Sequence, residues 1–79
     1  MNITCAIIDD EPLALELLEN YVSRVPFLKL TGKYTSAIEA LARIKEDGTQ
    51  LLFLDIQMPD LNGLEFSRII DSSTKVVFR

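Results

Sequence analysis

Apolar residues in this chain gather into short runs, and between the runs they recur at helical spacing. The first run, Ile3 to Ile8, is built of Ile, Thr, Cys and Ala with apolar residues on both faces. A strand buried on both sides of a parallel sheet reads this way. Glu11-Pro12 then opens a helix, where an acidic side chain suits the macrodipole and proline lacks an N–H that would be orphaned anyway. Ala14, Leu17, Leu18, Tyr21, Val22 and Val25 recur at three and four and predict its inner face, and Pro26 stops it. Leu28 to Tyr34 alternates apolar and polar over most of its length, as a half-exposed edge strand does. Ser36-Ala37-Ile38-Glu39 has capping-box spacing, so Ser36 is predicted to cap a second helix. Ile38, Leu41 and Ile44 are its predicted buried stripe, and Asp47-Gly48 ends it. Leu51 to Leu54 is a second continuous apolar strand. A loop over 57–62 leads to a third helix near Gly63, with Leu64, Ile69 and Ile70 as inner positions, and Lys75 to Phe78 begins a fourth strand.

This alternation of strand and helix predicts an α/β domain, a mostly parallel sheet with helices on both faces joined by right-handed crossovers. The first and third strands are the most apolar and belong at the centre; the half-polar second belongs at an edge. The predicted order is 2-1-3-4. In such a doubly wound sheet a ligand binds outside the carboxyl ends of the strands, where the order reverses, here between strands 1 and 3.

Asp9 and Asp10 end the first apolar run and Asp55 ends the third, so all three fall at that place. Carboxylates at the ends of neighbouring strands stand roughly 5 Å apart. At that separation two of them repel by about 3 kcal/mol if the effective dielectric is near 20. A hard divalent cation held by oxygen ligands relieves the repulsion, and Mg²⁺ takes one or two carboxylates together with a phosphate oxygen. Asp10, Asp55 and a carbonyl from the loop after Asp55 can supply protein ligands, and Asp9 can act directly or through water. A carboxylate beside such a cation can itself be a nucleophile toward a phosphoryl group, giving an acyl phosphate.

Composition narrows the choice. The 79 residues suffice for one small domain, and 48% apolar content argues against disorder. A net charge of −4, with Lys and Arg scattered, argues against a nucleic-acid-binding surface. Histidine is absent, which excludes His-ligated metals, His-dependent triads and a phosphohistidine carrier. Cys5 is the only cysteine; it lies in the first apolar run and reads as a small core residue rather than a reactive thiol. Nothing points to secretion, and no apolar stretch approaches the ~20 residues that span a bilayer. The expected location is the cytoplasm.

Three stretches carry a resemblance. Asp9-Asp10-Glu11-Pro12, Phe53-Leu54-Asp55-Ile56-Gln57-Met58-Pro59 and Leu61-Asn62-Gly63-Leu64-Glu65 together resemble the receiver domain of two-component response regulators. The run from Asp9 to Ala14 is similar to the group whose output is a LytTR-type DNA-binding domain. The resemblance implies a flavodoxin-like (CheY-like) fold. It implies that Asp55 is the phosphorylated aspartate, Asp10 a direct Mg²⁺ ligand, Asp9 its acidic neighbour, and Gln57 the residue whose backbone carbonyl completes the protein ligands. Met58, Pro59 and Gly63 match the loop that shapes the site. A histidine kinase would be the partner, and the domain would be a phosphoacceptor rather than a turnover enzyme. DNA would be reached only through an output domain outside these residues, and no membrane is implied.

A complete domain of this family has a fifth strand and fourth and fifth helices. It also has a Thr or Ser at the end of strand 4 and a Lys at the end of strand 5, both contacting the phosphoryl group. Residues 1–79 correspond to the N-terminal two thirds of it, with Arg79 just before the hydroxyl position. In the family the last helix packs beside the first, and strand 5 covers strand 4. On that basis Val76, Val77 and Phe78 offer an unpaired apolar edge. The 79-residue chain is then expected to form a two-fold homodimer, by pairing fourth strands or exchanging elements. Two alternatives stand beside this reading. A haloacid-dehalogenase-type phosphatase needs a second Asp two residues after the nucleophile, where this chain has Gln57, which cannot serve as the general acid. A phosphorylation-independent interaction module would keep the fold without the chemistry.

Overall fold

Six apolar and small residues set the centre of the sheet. Ile3–Ile8 forms β1, whose last four residues are buried on both faces. The structure, a computed structural model, describes residues 2–55 and 74–78. Within them the order is β1, α1 (Pro12–Ser23), β2 (Leu28–Tyr34), α2 (Ala37–Asp47), β3 (Leu51–Leu54) and β4 (Lys75–Phe78). The predicted 57–62 loop and the third helix with Leu64, Ile69 and Ile70 lie outside the described residues, as do the site positions Gln57, Met58, Pro59 and Gly63.

The four strands make one parallel sheet in the order β2-β1-β3-β4, as the apolar pattern predicted. Side chains alternate across a strand, so β1 serves two cores. Ala6 and Ile8 join Leu52 and Leu54 of β3 under Ala37, Ala40 and Ile44 of α2, with Tyr34, Leu41 and Val76 at the margin. Cys5 and Ile7, on the opposite face, are also fully buried, and α1 packs on that side through Leu15 and Val22.

Both helix faces differ from the prediction in a way the angles explain. On α1 the buried positions are Leu15 and Val22, with Ala14 and Leu18, and Val25 just past its end, half-buried; Leu17 and Tyr21 are about half exposed. At 100° per residue Leu15, Leu18 and Val22 centre the stripe, and Leu17 and Tyr21 fall beyond its edge. On α2 the stripe is Ala37, Ala40, Leu41 and Ile44, at i, i+3, i+4 and i+7, while Ile38 is 75% exposed. The alanines take the inner positions, packed with Ala6, Ile8, Leu52 and Leu54, and the bulkier Ile38 is turned to solvent. The predicted caps are present. The Ser36 side chain accepts from the Glu39 amide at 3.5 Å, and Gly48 closes α2 at φ 66°, a left-handed conformation that favours glycine. Helix α1 stops at Ser23, and Arg24 and Val25 fold back onto Tyr21 and Val22 carbonyls before Pro26.

Strand β2 holds the least legible feature. Its register on β1 shifts between Cys5 and Ala6: Leu30 pairs with Cys5 but Gly32 with Ala6, which leaves Thr31 as an extra residue. A bulge of this kind reverses the alternation beyond it. Leu28, before the bulge, therefore packs beside α1 residues Leu18 and Val22, whereas Tyr34, six residues on, packs against the α2 core. Lys33 correspondingly reaches Glu19 of α1 in an exposed 3.0 Å ion pair. Strict alternation would have placed Leu28 and Tyr34 on one face.

Candidate functional site

The site grows out of the carboxyl ends of the two central strands. Asp9 follows β1 and is 2% exposed. Its amide donates to the Tyr34 carbonyl at 3.1 Å, the last rung toward β2. Its Oδ1 accepts from the Glu11 amide at 3.0 Å, an Asx-type turn that sends the chain into Pro12 and α1. Asp10, next along, is exposed. Asp55 follows β3 and is half-buried; its amide donates to the Ile8 carbonyl at 3.2 Å. One rung thus ties Asp55 to β1 and another ties Asp9 to β2, so the acids are placed by the sheet itself.

The geometry brings all three together. One carboxylate oxygen from each of Asp9, Asp10 and Asp55 lies within 4.8 Å of the others. The donor set is oxygen only, at the switch between β1 and β3, and it suits a hard cation better than a soft one. These three residues therefore fit Mg²⁺; Gln57, the fourth residue expected to contribute, is outside the described residues. Sequence reasoning named the acids but missed the groups that hold them. The Glu11 amide could have been found, since Asp two residues before a residue that opens a helix is a turn signal. The Tyr34 carbonyl could not, because its placement depends on the bulge.

Comparison with known proteins decides the family. The profile of the response regulator receiver domain matches residues 5–78. The chain belongs to the response regulator receiver family. An uncharacterised response regulatory protein of Shewanella oneidensis is 44% identical to this receiver domain over 78 residues, which are 96% of the chain and 33% of that protein. The transcriptional regulatory protein BtsR of Escherichia coli is 37% identical over 65 residues, 82% of the chain and 27% of BtsR. The chain thus spans between about a quarter and a third of the length of these curated relatives. Among solved structures, the response regulator domain of Thermotoga maritima CheB superposes with a TM-score of 0.86 at 26% identity, covering 99% of this chain and 60% of that one. The isolated receiver domain of RcsB from Salmonella enterica gives 0.90 at 17% identity, over 99% and 61% of the two chains, which speaks to the fold alone. The flavodoxin-like architecture and the strand order are those of this family. No described helix is long and apolar enough to cross a membrane.

Proposed function

We propose that this receiver domain accepts a phosphoryl group on Asp55 from a histidine kinase, with Mg²⁺ at the acidic cluster. The observation that carries the reading is the meeting of Asp9, Asp10 and Asp55 oxygens within 4.8 Å, at the strand switch of a receiver fold. Asp10 and Asp55 would ligate the cation, the Gln57 carbonyl would complete the protein ligands, and Asp9 would act directly or through water. When bound, the cation supplies charge neutralisation for the incoming phosphoryl oxygens. Asp55 supplies the nucleophile. A carboxylate oxygen of Asp55 forms the new P–O bond as the P–N bond of the phosphohistidine breaks, and the bonding pair leaves on the imidazole. Asp9, clamped by the Glu11 and Tyr34 backbone, is held beside that oxygen and leaves the phosphoryl group to Asp55. The domain is an acceptor that assists its own modification and does not turn over a substrate.

The whole protein would act in the cytoplasm as a transcription regulator, as the name of the BtsR relative suggests. Its DNA contacts would be made by an output domain beyond these residues, of LytTR type on the strength of the Asp9 to Ala14 run. Titration with Mg²⁺ while following amide shifts tests the site. Residues 9–11 and 55–58 are expected to move first, and Asp10→Ala to weaken binding more than Asp55→Asn. Largest shifts elsewhere would show the assignment to be wrong.

For a polypeptide of these 79 residues alone we also propose two-fold association. Among the described residues β4 pairs only with β3, and Val77 on it is 42% exposed. Antiparallel pairing of two β4 edges, or exchange of elements, would cover that edge. Light scattering after gel filtration should then give the mass of a dimer; a well-folded monomer at micromolar concentration would refute it.

A further inference from the structure

A backbone rung from the Asp9 amide to the Tyr34 carbonyl ties Asp9 to strand β2, and that rung lies three residues beyond a bulge. Thr31 is the residue the bulge leaves unpaired. Its hydroxyl donates to the Cys5 carbonyl at 3.0 Å and lies 3.1 Å from the Thr49 hydroxyl. Thr31 has one proton to give, and the Cys5 carbonyl can only accept, so Thr49 is the donor in that pair. Thr49 is itself 3% exposed and fixed on both sides: its amide donates to Ile44 at the end of α2, and its carbonyl accepts from the Thr74 hydroxyl at 2.8 Å. The bulge is therefore anchored through Thr49 to α2 and to the residue that precedes β4.

Beyond the bulge, the strand is held by shape. A Cβ at Gly32 would fall 2.6 Å from Cζ and 2.8 Å from Cε2 of Tyr34, so the ring occupies the room a side chain would need. That ring packs on the α2 core, and the Tyr34 carbonyl accepts from the Asp9 amide. If the bulge closed, Lys33 would take the place of Tyr34 opposite Ile8. The Tyr34 ring would then leave the α2 core and Lys33 would be drawn away from Glu19, so closure loses contacts on both faces of the strand. The end of β2 would detach instead, and the Asp9 amide would lose its acceptor.

We propose that Thr31 is a positioning residue for the acidic site: its hydroxyl fixes the β2 register that presents the Tyr34 carbonyl to the Asp9 amide. The proposal rests on the reading of Asp9, Asp10 and Asp55 as the Mg²⁺ site. Thr31→Val keeps the branched shape and removes the hydroxyl. It is expected to weaken Mg²⁺ binding about three- to tenfold, the scale of one lost hydrogen bond. It should also speed hydrogen exchange at the Asp9 amide while leaving the Asp55 amide, which bonds to β1, at its wild-type rate. Thr31→Ser restores the hydroxyl and should restore both values, which a packing role for the methyl group would not. If Thr31→Val does not fold, Thr31→Ala takes its place: it too removes the hydroxyl that bonds the Cys5 carbonyl, and with Thr31→Ser as control it should move the same two readouts. Wild-type affinity and wild-type Asp9 exchange in a folded variant would overturn the proposal. Should the unmodified protein show no Mg²⁺ response at residues 9–11 and 55, the reading of the metal site fails instead, and exchange at Asp9 still decides the role of Thr31.

Discussion

Replacing Asp55 by asparagine is expected to abolish phosphoryl uptake. Intact response regulator incubated with acetyl phosphate and Mg²⁺ should gain the mass of one phosphoryl group, and the Asp55→Asn variant should gain none. Asparagine has nearly the same shape, so the amide at 55 still reaches the Ile8 carbonyl and the strand end stays in place. Only the carboxylate oxygen is lost, and with it the proposed nucleophile. Neither neighbour is placed to substitute. Asp9 is buried with Oδ1 engaged by the Glu11 amide, and Asp10 belongs to the turn outside β1 rather than to the end of β3. An adduct mapped to either of them, or to any other carboxylate, would overturn the assignment of Asp55.

A second large effect is expected in the core. Leu52 is fully buried between the central strand and α2, against Ala6, Ile8, Ala40 and Ile44. Leu52→Ala removes those contacts where small alanines on α2 leave little to collapse inward, and should cost about 2–5 kcal/mol. Domains of this size have only about 4–12 kcal/mol in total, so the variant should unfold at much lower urea. Ile38→Ala is the matched control. At 75% exposure it should change stability by no more than about 0.5 kcal/mol. The periodicity of α2 in isolation predicts a substantial loss for Ile38, so equal effects at the two positions would reinstate that reading and refute the observed packing.

What the sequence made legible follows from how each signal is generated. The strand order came from the apolar character of residues 3–8 and 51–54, because only strands covered on both faces need be apolar throughout. The acids could be placed because strand ends are marked by the change from apolar to charged residues. The inner face of a helix was harder, since period alone tolerates a stripe rotated by one residue. Ile38 outweighs Ala37 on any hydrophobicity scale, and only the packing of α2 on the sheet, which Ala37 joins and Ile38 does not, shows which is inside. The bulge was not legible at all. Its signal is a threonine whose hydroxyl meets partners 26 and 18 residues distant, contacts that no local window contains.

The buried cysteine gives this chain an internal clock for opening. Cys5 is the sole thiol, fully covered, in the strand that pairs with both β2 and β3, and burial raises its pKa. The thiolate is the reactive form, so a modifying reagent meets it only after β1 has been uncovered. With abundant reagent the labelling rate equals the opening rate of the central strand; with scarce reagent it follows the open population. Because Asp9 directly follows β1, the same measurement made with and without ligand would read how firmly an occupied site closes the middle of the sheet, with no engineered cysteine needed.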